Sequence, residues 1–170
     1  MRKSFKVLLS LLVFLGISLT LSAQSNEEEL DQLELMKQFI GTWRAETGED
    51  TVVNTTYEPI GDGILITQEN IANGVTYRTV KAVMGVSTDK KTIIVSAVGQ
   101  DGSVGFHYGK FVSNNKCILE AYNDNVKNPV NIQEFEIQSP DTFTTRGKYR
   151  GEQMKWDAEW WDTATFHKIK

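Results

Sequence analysis

The chain has 170 residues, of which 40% are hydrophobic, 10% aromatic and 24% charged, and its formal net charge at pH 7 is −4. This length suits one domain with its own hydrophobic core, since domains cluster at about 100–150 residues. The acidic balance, without basic clusters, argues against binding to nucleic acid or to an anionic membrane surface. Because Cys117 is the only cysteine, no internal disulfide can form, and its apolar neighbours indicate a packing role.

The first 23 residues have the three parts of a secretory signal peptide. Basic residues within the first six positions precede an apolar run from Val7 to Leu21, and small residues lead to Ala23. The apolar run is shorter than the ~20 residues needed to span a bilayer. We therefore expect cleavage near Ala23, export to the periplasm or the medium, and no membrane span in the mature protein. Gln24 stands where a lipoprotein would need its lipid-bearing cysteine.

Residues 24–40 form the one predicted helix. Asn26 can cap it, acidic residues at 27–29 suit its positive end, and an apolar stripe from Leu30 to Ile40 precedes Gly41, which ends it. Such a stripe predicts that the helix packs against the rest of the domain.

Beyond Gly41, short runs rich in Val, Ile, Thr and aromatic residues alternate with turn sequences such as NG at 73–74. These runs predict about ten strands, at residues 42–47, 51–59, 64–72, 75–86, 92–98, 104–112, 117–122, 130–137, 142–149 and 154–166. Tight turns imply sequential antiparallel pairing, and closure removes the exposed edges of so long a sheet. The predicted fold is all-β: residues 41–170 form a single antiparallel up-and-down β-barrel of about ten strands, preceded by one N-terminal helix.

Several predicted strands carry polar and apolar residues on both faces. In the fourth strand, for example, Tyr77 and Lys81 share one face while Arg78 and Met84 share the other. A buried polar group without a partner costs ~1–3 kcal/mol, so a dry sandwich core would exclude most of these residues. A barrel around a partly hydrated cavity accommodates them.

The segment "FIGTWRAETGED", Phe39 to Asp50, joins the helix to the first strand through Gly41-Thr42-Trp43. A short helix, this Gly-x-Trp and a meander of strands resemble the lipocalin and fatty-acid-binding barrels, broadly the calycins. The strand count is similar to that of the fatty-acid-binding proteins, the nitrobindin-like haem barrels and the exported lipocalin-like domains of unknown function. The resemblance implies that Trp43 plugs the closed end of the barrel after Gly41, and that Arg146 or Arg150 packs across its ring.

The sequence contains no phosphate-binding loop, no nucleophile elbow in a strand-to-helix context and no cluster of metal ligands. Strand alternation with the neighbouring aromatic residues predicts that His107 and His167 lie on the surface. The carboxylate pair Glu134 and Glu136 is interpreted as part of a solvated outer face. We therefore predict no catalytic residue, no metal and no cofactor, with a haem-binding barrel or an enzyme built in the pocket as alternatives.

The sequence thus predicts an exported lipocalin-like protein, a monomer or weak dimer, that binds a small apolar or amphipathic molecule inside the barrel. A basic residue would meet a carboxylate or other polar head of the ligand. The predicted ligand-binding residues are Tyr57, Tyr77, Arg78, Lys81, Phe106, Tyr108, Tyr122, Trp156 and Trp160. Another alternative is a surface-interaction protein that binds a glycan or a protein partner through exposed aromatic residues such as Trp161.

Overall fold

The computed structural model of the protein describes residues 30–123, 128–149 and 161–169. A short helix, α1 (Gln32–Met36), continues into a 3₁₀ turn (Lys37–Phe39). Ten strands follow: β1 (Gly41–Gly48), β2 (Thr51–Ile60), β3 (Gly63–Ala72), β4 (Val75–Val86), β5 (Ile93–Gly99), β6 (Val104–Ser113), β7 (Lys116–Asn123), β8 (Asn131–Ser139), β9 (Thr142–Tyr149) and β10 (Trp161–Ile169). In these ranges, no helix is both long enough and apolar enough to span a bilayer.

The ten strands close into one antiparallel barrel. Each strand pairs with its neighbours along the chain, and β1 also pairs with β10, so the backbone groups of both end strands are engaged. The turn between β3 and β4 has positive φ at both Asn73 (50°) and Gly74 (75°), as a two-residue hairpin turn of type I′ requires. The predicted all-β up-and-down barrel of about ten strands with one N-terminal helix is confirmed.

The helix α1 and its 3₁₀ turn cover one end of this barrel, which we call the helix end. The opposite end, where the β1–β2, β3–β4 and β5–β6 turns lie, is called the far end. Asp31 caps α1, because its side chain accepts hydrogen bonds from the backbone N–H groups of Leu33 and Glu34 at 3.1 Å. The predicted cap, Asn26, lies outside the described residues.

Gln32 attaches α1 to the barrel. Its Oε1 accepts a hydrogen bond from the backbone N–H of Phe111 at 2.6 Å, and its Nε2 donates to the Phe111 carbonyl oxygen at 3.2 Å. Strand β5 begins at Ile93 opposite Gly109, so Phe111 extends past the end of β5. The buried side chain of Gln32 therefore takes the place of a neighbouring strand for the backbone of Phe111.

Trp43 lies in the helix end of the barrel and is 1% exposed. Its Nε1 donates a hydrogen bond to the Phe39 carbonyl oxygen at 2.6 Å, and its ring centroid lies 4.8 Å from that of Phe143. The cation over the ring is Lys168, the register partner of Trp43 in β10, whose Nζ is 5.0 Å from the ring centroid. A side chain at Gly41, where φ is +132°, would collide with Lys168.

Arg146 does not pack across Trp43, and this corrects the expectation drawn from the resemblance. It lies on the outer wall, where its Nη2 is 2.7 Å and its Nε 2.9 Å from Oε1 of Glu134. The other candidate, Arg150, lies outside the described residues. Strand alternation explains the correction, because Phe143 and Thr145 point inward, so the guanidinium of Arg146, the next residue after Thr145, points outward beside its register partner Glu134.

Glu134 is 6% exposed although it lies on the outer wall. The same carboxylate oxygen that binds Arg146 is 3.1 Å from Nζ of Lys116, so two cations cover it. The interpretation of Glu134 as a solvated carboxylate is therefore wrong. Its contacts are those of a structural ion cluster across β7, β8 and β9.

Cys117 is buried in the core, as its apolar neighbours predicted. Burial raises the pKa of its thiol to about 12. The thiol is therefore protonated at neutral pH and unsuited to nucleophilic attack.

Candidate ligand-binding cavity

The barrel encloses a cavity of about 190 Å³. Twelve of the residues that line it are apolar or aromatic, and the other six are Thr55, Gln68, His107, Gln133, Thr145 and Arg146. Dry apolar cavities of about 150 Å³ are known to hold benzene, so this space suits a molecule of one or two small rings or a short chain.

Aromatic side chains form the floor of the cavity at the helix end. The 3₁₀ turn brings Phe39 into the barrel, where its ring centroid lies 5.6 Å from those of Tyr57 and Phe143. Phe143 in turn stacks on Phe166 with centroids 4.7 Å apart and planes inclined by 8°. Burial also raises the pKa of Tyr57, so its hydroxyl stays protonated and can donate a hydrogen bond.

His107 points into the cavity, and its interpretation as a surface residue is wrong. It is opposite Val95 in β5 and Ala121 in β7, which also belong to the inward face. The inward set of β6 runs Gly105, His107, Gly109 and Phe111, whereas Phe106 and Tyr108 alternate with it. Because the inward set contains two glycines, the aromatic residues of the opposite set, Phe106 and Tyr108, looked like the face that packs in the core.

The other predicted ligand-binding residues lie in different places. Tyr57 lines the cavity. The lining residues of β4 are Val80, Ala82 and Met84. Tyr77 and Lys81 alternate with them and so lie on the outer wall, where Tyr77 is 58% exposed. Alternation with His107 likewise puts Phe106 and Tyr108 on the outer wall. Tyr122 contacts Tyr108 there, with ring centroids 5.6 Å apart, and Trp156 and Trp160 lie outside the described residues.

Arg78 is exposed towards the far end and is the direct register partner of Asn70, on the same face of the sheet. Its charge contributes to lowering the pKa of Asp101, after the larger effect of the hydrogen bonds from Ser103. Of the charged side chains in the described residues, only Arg146 belongs to the cavity lining, and its guanidinium is held by Glu134 on the outer wall. The polar side chains of the cavity lining are therefore mainly uncharged.

Desolvation in the cavity lowers the pKa of His107. The described residues contain no group of three His, Cys, Asp or Glu side chains placed to hold a metal ion. A neutral imidazole offers one hydrogen-bond donor and one acceptor to a bound molecule. His107 is thus the polar residue that sequence alternation missed.

We expect acidification to destabilise the protein through His107. Its folded-state pKa is depressed, so the unfolded chain takes up a proton first as the pH falls through about 6.5, the ordinary histidine value. The free energy of unfolding therefore falls as the pH drops below that value, and it stops falling once His107 is also protonated in the folded protein. Urea unfolding at pH 7.5 and 5.5 measures this change. The free energy of unfolding should fall less in His107→Gln than in the wild type, whereas His167→Gln, a substitution at an exposed site, should show the same fall as the wild type. Equal losses in His107→Gln and the wild type would contradict this assignment.

No family model matches the chain, and no curated protein matches it by sequence. The barrel is similar to the crystal structure of Rv2717c from M. tuberculosis, with a TM-score of 0.61, 12% identity and coverage of 84% of this chain and 100% of that one. A second solved structure, EF1p2_mFAP2b bound to DFHBI, has a TM-score of 0.33, 14% identity and coverage of 81% and 99%. The first similarity supports the closed β-barrel fold, and the second is too low to support an argument.

Proposed function

We propose that the protein binds a small, mainly apolar molecule inside its barrel and performs no covalent chemistry on it. The observation that carries this proposal is the cavity of about 190 Å³, whose lining combines twelve apolar or aromatic residues with a few uncharged polar side chains. Apolar walls favour transfer of the ligand out of water, and the polar groups fix its orientation.

We also propose that the chain is an exported lipocalin-like protein. The Gly-x-Trp after a short helix and the closed ten-stranded barrel support the class, and the basic start and apolar run of residues 1–23 support export. The intact mass of the protein recovered from the periplasm of an expressing cell tests this. A chain that begins at Gln24 is expected, and a full-length chain retained in the cytoplasm would reject it.

Ala97→Phe is expected to weaken ligand binding by filling the cavity, while Val98→Phe leaves binding intact. Ala97 lines the cavity, and Val98, the next residue of β5, is 46% exposed on the outer wall. Binding is measured by fluorescence titration with naphthalene and by native mass spectrometry after incubation with a lipid extract. We expect affinity to fall by roughly tenfold or more in Ala97→Phe, since an overfilled site must expand to admit a ligand.

Two results would reject the ligand-binding proposal. One is the absence of any bound molecule in the wild type, and the other is equal binding by wild type and Ala97→Phe. A Soret band in the absorbance spectrum of the purified protein would instead assign the cavity to haem, with His107 as the histidine that faces it.

A second candidate function is contact with a protein or glycan through the outer wall. Val98, Val104, Phe106, Tyr108 and Tyr122 form an apolar patch there, with Val98 paired to Val104 and Phe106 to Tyr122. Val104 is 43% and Tyr108 40% exposed, and contiguous exposed apolar residues of this kind mark interaction surfaces. Sedimentation velocity and a glycan array, run on wild type and Tyr108→Ser, test this function. Unaltered sedimentation together with no glycan signal would reject it.

A further inference from the structure

Two buried asparagines between the cavity and the far end have side-chain atoms without a hydrogen-bond partner. Asn70 in β3 is 8% exposed and its Nδ2 is unpartnered, while Asn131 in β8 is 7% exposed and its Oδ1 is unpartnered. Each lies two residues beyond a glutamine that lines the cavity, Gln68 and Gln133 respectively. Strand alternation therefore puts both asparagines on the inward face, one layer further from the helix end.

The strand order puts these asparagines on opposite walls, because β3 and β8 are five strands apart in a ring of ten. Following the register through β7, β6, β5 and β4, Asn131 is level with Ile64, six residues from Asn70 towards the helix end. Following it the other way, through β2, β1, β10 and β9, Asn70 is level with Ile137, six residues from Asn131 towards the helix end. The two offsets are equal, so the tilt of the strands shifts both residues by the same amount along the barrel axis. The two asparagines therefore lie at the same height in the barrel.

An unpartnered buried polar atom is costly, at about 1–3 kcal/mol, and a native protein retains one where a ligand or a water binds. Asn70 offers a free N–H donor, and Asn131 offers a free carbonyl acceptor on the facing wall. Gln68 supports the first of these, since its Nε2 is 3.4 Å from Oδ1 of Asn70 and leaves Nδ2 available. A ligand group that binds both asparagines must therefore accept a hydrogen bond at one edge and donate a hydrogen bond at the other.

The burial of the site disfavours an ionised head group. The amides of Gln68 and Gln133 and the imidazole of His107 are the polar lining nearest to the asparagines, and burial keeps that imidazole neutral. Arg78, the register partner of Asn70, is exposed, so in the described residues a carboxylate buried beside the asparagines would have no buried cation. An ammonium would have no facing carboxylate, and either unpaired charge costs far more than an unpaired amide. Of the two basic residues predicted to meet a polar ligand head, Lys81 lies on the outer wall, and Arg78 is exposed beside Asn70.

We propose that Asn70 and Asn131 recognise the opposite edges of one uncharged ligand head, a vinylogous cyclic amide that accepts from Asn70 and donates to Asn131. The apolar body of this ligand occupies the cavity below, so the inference rests on the proposed ligand-binding function. Its chemical class is a small planar heterocycle whose N–H and carbonyl lie across the ring from each other.

The test compares probes of one shape and different head chemistry. 4-Quinolone carries an N–H and a carbonyl at opposite edges, naphthalene carries neither, and 1-naphthoate carries a charge. Affinities are measured by isothermal calorimetry for wild type, Asn70→Leu and Asn131→Leu. Asn54→Leu is the matched control, because Oδ1 of Asn54 is also buried and unpartnered but alternates with the lining residues Thr55 and Tyr57.

We expect wild type to bind 4-quinolone more tightly than naphthalene by roughly tenfold, and either inward leucine variant to lose that preference. Naphthalene affinity and the unfolding midpoint should not fall in these variants, since leucine removes an unsatisfied group without opening a cavity. Asn54→Leu should bind all three probes as wild type does.

The outcomes separate this inference from the function on which it rests. If both neutral probes bind and the leucine variants keep the affinity for 4-quinolone, the asparagines hold only water and the inference fails alone. Tightest binding of 1-naphthoate would overturn the uncharged head. If no probe binds and the lipid extract also yields no bound molecule, the proposed function fails as well.

Discussion

Trp43→Ala is expected to lower the free energy of unfolding by about 3–5 kcal/mol, the usual cost of deleting a large buried aromatic side chain. The substitution removes a ring that is 1% exposed, its contact with Phe143 and its hydrogen bond to the Phe39 carbonyl oxygen. It also leaves Lys168 without the ring over which its ammonium lies. Urea unfolding followed by circular dichroism measures the loss.

The neighbouring substitution Arg44→Ala is the control, since Arg44 is exposed on the same strand and should change stability by less than about 0.5 kcal/mol. Trp43 does not belong to the described lining of the cavity, so the order in which Trp43→Ala binds different ligands should match the wild type. A changed order of ligand preference without a loss of stability would show that Trp43 acts in binding rather than in closing the helix end.

Gln32→Leu is expected to destabilise the protein by roughly 2–4 kcal/mol, because it leaves two buried backbone groups of Phe111 without partners. Leucine fills a similar volume, so the loss reports the hydrogen bonds rather than a cavity. Since α1 carries the chain into Phe39, release of this contact should also loosen the aromatic floor and weaken binding of naphthalene.

The matched control is Gln38→Leu, whose glutamine donates a hydrogen bond to the Asn114 carbonyl oxygen at an exposed site. Water can replace that bond, so Gln38→Leu should cost less than about 1 kcal/mol. Similar unfolding midpoints for Gln32→Leu and Gln38→Leu would show that the buried contact between α1 and β6 contributes little to stability.

Strand positions were largely predictable because hairpin turns interrupt the alternating runs. The predicted 75–86 and 142–149 agree with β4 (Val75–Val86) and β9 (Thr142–Tyr149), and other strands differ by one or two residues at their ends. For the last strand, β10 ends at Ile169, three residues beyond the predicted end at 166, and the predicted residues 154–160 lie outside the described residues.

Only part of the candidate site was predictable. Tyr57 could be placed inside because it alternates with exposed acidic and polar neighbours, but Phe106 and Tyr108 were placed on the wrong face. Glycine carries no side chain, so the inward set around His107 has low apparent hydrophobicity even though its backbone faces the interior. The two inward asparagines were not identified, since an amide in a strand signals neither face.

The sequence by itself determined the kinds of elements, their order and the closed antiparallel barrel, because periodicity and turn chemistry act over a few neighbouring residues. Tertiary structure alone decided which face of β4 and β6 points inward, that Lys168 rather than Arg146 meets Trp43, and that Asn70 faces Asn131. Alternation shows that two faces of a strand differ, but the inward face follows from the register of all ten strands at closure. That register joins residues far apart in the chain, so no local pattern of residues records it.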